Sequence, residues 1–144
     1  MRLNKNGFTL VELLAVIVIL ATIVMIAAPN VTSYLENSRK KAFVLNARQV
    51  AEAVSNDVLM NGNKTAYNIE DINKLLDSKH RLVTSPYGQS YSSGSYVKVE
   101  KDDTGNNIYS ICLTDTGKNG IELTTIADLN DDSVKVGTAK ECEY

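Results

Sequence analysis

The sequence predicts an α+β fold: a long N-terminal helix, its first half apolar on every side and protruding, its second half packed against an antiparallel β-sheet. Three observations lead there. Seven of the eight glycines lie at or beyond Gly62, and residues 8–61 hold no glycine and one proline, Pro29, a composition that permits continuous helix. Residues 8–28 read FTLVELLAVIVILATIVMIAA, with one charge, Glu12. Beyond Gly62 the texture changes to Gly, Asn, Asp, Ser and Thr clusters between short β-rich runs. Charge divides in the same way, with 13 acids and 9 bases in residues 61–144 but four of each in residues 8–60.

Composition bounds the function. The chain has 144 residues, 44% of them apolar and 22% charged, which excludes a disordered or collagen-like chain and suits one domain with an appendage. A net charge of −2 carries no basic footprint, so no specific nucleic-acid partner is expected. One histidine and two cysteines are too few for a zinc site built from those residues. No nucleophile–base pair, phosphate loop or cofactor stripe stands out. No enzyme activity, no metal and no cofactor are therefore expected.

Each element has a local reason. Residues 1–7, MRLNKNG, form a polar leader. The 21 residues from Phe8 to Ala28 would span roughly 31 Å as a helix, matching a hydrocarbon core of roughly 30 Å. After Pro29 the pattern turns amphipathic: Phe43, Ala47, Val50, Val54 and Val58 form a helical stripe. One helix from Phe8 to Met60 is expected, ended by Asn61-Gly62-Asn63. Pro29 lacks an N–H, so the carbonyl of Met25 loses its donor, and a bend is expected there. A short helix over residues 69–78 is expected, capped by Asn68 with Asp71 at its third position. Ser85-Pro86-Tyr87-Gly88 reads as a turn. Strands are expected at Tyr96–Glu100, Ile108–Leu113, Ile121–Thr124 and, weakly, Val134–Val136, with hairpin-like connections at 102–106 and 115–120. The division is thus a leader (1–7), an apolar half-helix (8–28) and a head (29–144).

Three readings compete for the apolar run. A secretory signal peptide has a shorter core, and Pro29 directly after Ala27-Ala28 is a poor residue beyond a cleavage point. A plain membrane anchor explains the length but not Glu12. A carboxylate in a membrane span is costly and usually has a partner or a role. No Lys or Arg in the span can pair with it. A cut after Gly7 would place a new amine on Phe8, and in a stack of subunits one chain's amine could meet the next chain's Glu12. Pairing in a dry environment would favour that register.

Gly7-Phe8-Thr9-Leu10-Val11-Glu12-Leu13-Leu14, behind a short basic leader and before an apolar run and Pro29, resembles the N-terminus of a type IV pilin or a related pseudopilin. The resemblance covers about residues 1–30. It implies that a prepilin peptidase cuts between Gly7 and Phe8 and N-methylates Phe8. It implies that Glu12 guides docking into a growing filament, a helical homo-oligomer, and that the head packs on the second half of the helix. In the family, the helix around Pro29 can loosen in the filament. The implied partners are the pilus or secretion assembly machinery, the cytoplasmic membrane and minor pilins. Lys and Arg counts do not orient the span, since Arg2 and Lys5 precede it and Arg39-Lys40-Lys41 follow it. The leader is placed inside because the cysteine pair suits an external head.

In an exported chain, Cys112 and Cys142 suggest one disulfide, the alternative being two buried thiols. Asp128-Leu129-Asn130-Asp131-Asp132 resembles the start of a calcium loop, but Ser133 stands where the turn glycine belongs and Ala139 where a bidentate Glu belongs. A solvated acidic turn is the expectation there and at Asp102-Asp103. His80 reads as a surface residue. Tyr87, Tyr91 and Tyr96 read as core or edge packing. The function implied is a structural subunit of a type IV pilus. The alternatives are a pseudopilin of a secretion or competence machine, a minor or tip pilin with an adhesive role, and an enzyme domain on an anchor, for which no constellation is found.

Overall fold

The computed structural model describes residues 8–62 and 64–143; the leader 1–7, and with it Gly7, lies outside the described residues. Helix α1 runs from Leu10 to Asn61 and carries one acid, Glu12, in its first turn. The helical assignment continues through Pro29. Gly62, at φ +40°, ends it: the Gly62 N–H donates to the Val58 carbonyl at 3.1 Å, closing the last turn in the left-handed conformation that glycine adopts without strain. The chain divides into two compact units between Glu36 and Asn37.

In the first unit, every described side chain is exposed. From Leu10 to Ile26 each Leu, Ile, Val and Met is open to the surroundings. The helix is long and apolar enough to cross a membrane.

The second unit is the head. Five antiparallel strands form one sheet in sequential order: β1 (Ala66–Asn68), β2 (Tyr96–Lys101), β3 (Asn107–Thr114), β4 (Gly120–Thr125) and β5 (Val134–Lys135). Each strand pairs with the next in sequence, the simplest sheet short loops can build. Helix α2 (Ile69–Leu75) follows β1. It starts as expected, Asn68 accepting from the Asp71 N–H at 2.9 Å, but stops at Leu75, not at residue 78. Strand β1 has no periodicity of its own to announce it. Its three residues are held by register against β2, Tyr67 facing Val97.

The predicted stripe is the spine of the core. Phe43, Ala47, Val50 and Val54 are fully buried, and Val58 packs at its edge. They meet the inner face of the sheet at Tyr67, Val97, Ile111, Leu113 and Ile121. Residues 110–114 of β3 are all buried, so this strand is covered on both faces. The inner face meets α1. The outer face carries Cys112, which lies opposite Tyr96 in a second small cluster with Cys142. A register shift between Ile111 and Leu113 re-aims β4 where β3 is most deeply covered.

Asp115 ties three segments together. It is buried, and its carboxylate accepts from the Ser85 hydroxyl at 2.6 Å and from the Gly117 and Asn119 amides at 2.9 Å each. Asn119 in turn accepts from the Gly137 amide at 2.9 Å. The 84–91 loop, the β3–β4 turn and the C-terminal segment thus converge on one acid whose burial is compensated by donors.

The aromatic residues lock α1 to the sheet. Tyr87 and Tyr91 pack against Phe43, with centroids 6.3 and 5.6 Å away. The Tyr91 hydroxyl accepts from Asn46 at 2.9 Å, and Tyr67 donates to Asp57 at 2.7 Å. Burial pushes the Tyr67 phenol up to about 12, with the Asp57 hydrogen bond adding to the shift. Burial likewise pushes Tyr91 to about 12.

Two outcomes follow from this packing. Replacing Asp115→Ala leaves the Ser85 and turn donors without their acceptor and is expected to destabilise the head by about 2–4 kcal/mol in urea unfolding followed by tyrosine fluorescence. For Tyr67 and Tyr91, the folded pKa lies above the unfolded one, so their contribution is intact below pH about 10 and is lost as pH rises toward 12. Phenolate absorbance should show two tyrosines ionising late, together with alkaline loss of the fold.

Candidate functional site

The apolar run has one polar device, and it sits at the start of α1. Phe8 and Thr9 precede the helix, which begins at Leu10 rather than Phe8. Thr9 occupies the capping position and Glu12 the third helical position. The Glu12 Oε2 accepts from the Thr9 backbone N–H at 2.8 Å and from the Thr9 hydroxyl at 2.8 Å. The Glu12 N–H donates to the Thr9 hydroxyl oxygen at 3.3 Å. This is a reciprocal capping box. The Thr-x-x-Glu spacing of such a box is present in the sequence. Within its own chain Glu12 thus has a hydrogen-bond partner in Thr9.

The other polar side chains of this half turn inward on their own helix. Thr22 donates to the Ile19 carbonyl at 2.7 Å, Asn30 to Ile26 at 3.4 Å and Thr32 to Ala28 at 3.4 Å. Such back-bonding removes exposed donors from an apolar surface. The last two bonds flank Pro29, where the Met25 carbonyl lacks its backbone donor.

Cys112 and Cys142 form a disulfide across a sequence separation of 30, with Cα atoms 5.8 Å apart. It pins the C-terminal segment to the outer face of β3. The Ala139 amide donates to the Lys118 carbonyl at 2.9 Å and the Lys140 amide to Glu122 at 3.0 Å. The Cys142 carbonyl lies where a side chain on Gly94 would sit, 2.5 Å from its Cβ position, so only glycine admits the segment here.

The remaining candidates resolve into turns. Asn130 caps a short 3-10 turn, accepting from Asp132 and Ser133 N–H groups, and Asp128 accepts from Thr125. Asp102 accepts from the Thr104 hydroxyl and the Asn106 N–H, which hold its carboxyl below the usual range. His80 is exposed and its Nδ1 lies 2.7 Å from Asp77. Among the described residues no group of three or more His, Cys, Asp or Glu is placed to hold a metal. Arg39 is exposed, with its guanidinium 5.8 Å from the centre of the Tyr87 ring.

Residues 2–28 match the family model described as the prokaryotic N-terminal methylation motif. That motif is the class III signal peptide found on type IV pilins and pseudopilins, and it supports a pilin- or pseudopilin-like prepilin. It implies processing by a prepilin peptidase and assembly into pilus or pseudopilus machinery, and with the apolar helix it fits membrane insertion and a structural role. No curated protein and no solved structure matches the chain.

Reduction should test what the disulfide secures. The main core lies between α1 and the inner face of the sheet, apart from the cysteine cluster. Substituting Cys142→Ser is therefore expected to lower stability by about 3–4 kcal/mol while leaving the head folded. Hydrogen exchange should quicken at residues 139–143 and stay slow at Val97 and Ile111.

Proposed function

We propose that this chain, which carries a prepilin-type N-terminus, is a structural subunit of a type IV pilus. It is inserted in the cytoplasmic membrane with its N-terminus inside, cut between Gly7 and Phe8, methylated on Phe8 and polymerised through its N-terminal helix. One observation carries the reading: residues 10–26 expose every large apolar side chain and hold one acid. Such a surface is stable in hydrocarbon or against copies of itself, and not in water. Transfer from lipid to a filament core keeps it dry, so the hydrophobic cost of leaving the membrane is small.

Glu12 then sets the register. Its carboxylate docks with the Phe8 amine of a neighbouring subunit, and the pairing is strong because the surroundings exclude water. Pro29 is the point at which the helix gives when subunits pack, since the Met25 carbonyl there lacks a backbone donor. The head supplies the outer surface, and the disulfide holds its C-terminal segment in place outside the cell.

Replacing Glu12→Ala should leave cleavage intact and reduce sheared surface filament by about tenfold or more; normal filament yield would overturn the role given to this charge. Replacing Gly7→Val should leave a longer, unprocessed membrane form by intact mass. N-terminal sequencing of the wild type should begin at a methylated Phe8. Abundant extracellular fibres containing the chain support the pilus. Loss of protein release or DNA uptake without fibres would instead assign it to a pseudopilus.

A further inference from the structure

The part of α1 that belongs to the head is charged in two blocks. Residues 39–48 hold Arg39, Lys40, Lys41 and Arg48 and no acid, while residues 49–61 hold Glu52 and Asp57 and no base. Lys41 and Glu52 are both exposed, and among the described residues neither makes an ion pair. Each block has an exposed apolar companion. Leu45, 56% exposed, lies one turn from Lys41, and Met60, 83% exposed, lies about two turns beyond Glu52. Met60 borders a groove of about 500 Å3 between α1 and the end of α2, lined also by Glu52, Ala53, Asp57, Leu75 and Asp77. Asp57 is held by Tyr67 and Asn61, and Asp77 by His80, which faces the same groove. Three carboxylates thus surround apolar side chains that nothing in the head covers.

The Lys41–Leu45 ridge matches that groove in charge and apolar character, but it cannot reach the groove of its own chain. Lys41 and Met60 lie roughly 28 Å apart along α1 and point about 100° apart around it. A parallel copy displaced by about 21 Å, the rise of about 14 residues, has its Leu45 level with Leu59 and its Lys41 within one turn of Glu52. With no displacement, basic block meets basic block and the charges repel.

We propose that the groove receives the Lys41–Leu45 ridge of a second copy of this chain, displaced along the axis of α1. The charges set the register, and Leu45 and Met60 lose their exposure to water. Giving and receiving faces differ, so the contact is heterologous and propagates from copy to copy instead of closing as a two-fold dimer. This rests on the filament reading above and adds to it the side chains that fix one head against the next.

Both native cysteines are in the disulfide, so introduced thiols react alone. The full chain carrying Leu45→Cys with Met60→Cys is oxidised on intact cells, and membrane and sheared-fibre fractions are run on non-reducing denaturing gels. A ladder of covalent oligomers is expected. Each single variant should stay monomeric, and the two single variants expressed together should stop at the dimer. In the double-cysteine chain, adding Lys41→Glu or Glu52→Lys should weaken the ladder about fivefold, because like charges then meet, and adding both should restore it. The four positions are exposed, so the head should fold in every variant, which retention of the native disulfide by intact mass checks. Fibres without a ladder, a dimer from either single variant, or a charge exchange that restores nothing overturns the proposal. A wild-type chain that forms neither pilus nor pseudopilus would instead overturn the function proposed above. The membrane fraction then decides the contact by itself, a ladder there supporting it and its absence overturning it.

Discussion

One helix in this chain answers to two environments, and the rest of the structure follows from that constraint. Along residues 10–26 every large apolar side chain is exposed. From Phe43 to Val54 one stripe of the same helix is fully buried. A sheet with one apolar face needs such a cover, and the helix needs the sheet only on that stripe. The change from apolar-all-round to amphipathic is what makes the first half available for intermolecular packing while the second half folds a domain.

The head is small, and it compensates with polar and covalent ties rather than with a larger core. Asp115 gathers three segments at one end of the sheet. The disulfide gathers the C-terminal segment on the outer face. Both ties act on β3 or the turn that follows it, the strand covered on both sides. Tyrosines do the same for the inner face: Tyr67 and Tyr91 bury their rings, the Tyr67 hydroxyl donating to Asp57 and the Tyr91 hydroxyl accepting from Asn46, both on α1, so that each aromatic contributes area and a specific orientation.

At the other end of α1, a charge in an apolar setting is made tolerable by the first helical turn itself. The same residue that closes the helix start is the one that the filament reading places at the subunit contact. The polar side chains at Thr22, Asn30 and Thr32 follow the same rule of bonding to their own helix.

Much of this was legible from residues alone, wherever a pattern repeats along the chain. The long helix, the Phe43–Val54 stripe, the Asn68 cap, four strands and the methylation-type N-terminus all rest on local periodicity or short motifs. Strand β1 was hidden because three residues carry no period and exist only by pairing with β2. The shortening of α2 was hidden because residues 76–78 remain helix-compatible until Asn73 bonds the backbone at Leu82. The Thr9–Glu12 capping box is present as a spacing, but a lone acid in an apolar run reads first as a charge in need of a countercharge. Asp115 looked like any acid in a hairpin turn, since nothing local tells that Ser85, thirty residues away in sequence, will donate to it. By itself, then, the sequence determined where the chain is apolar all round and where it is amphipathic, because those properties are written in neighbouring residues. The tertiary structure alone decided which acid is buried, which strand is covered twice and where the C-terminal segment lies, because each depends on donors and surfaces brought together from distant parts of the chain.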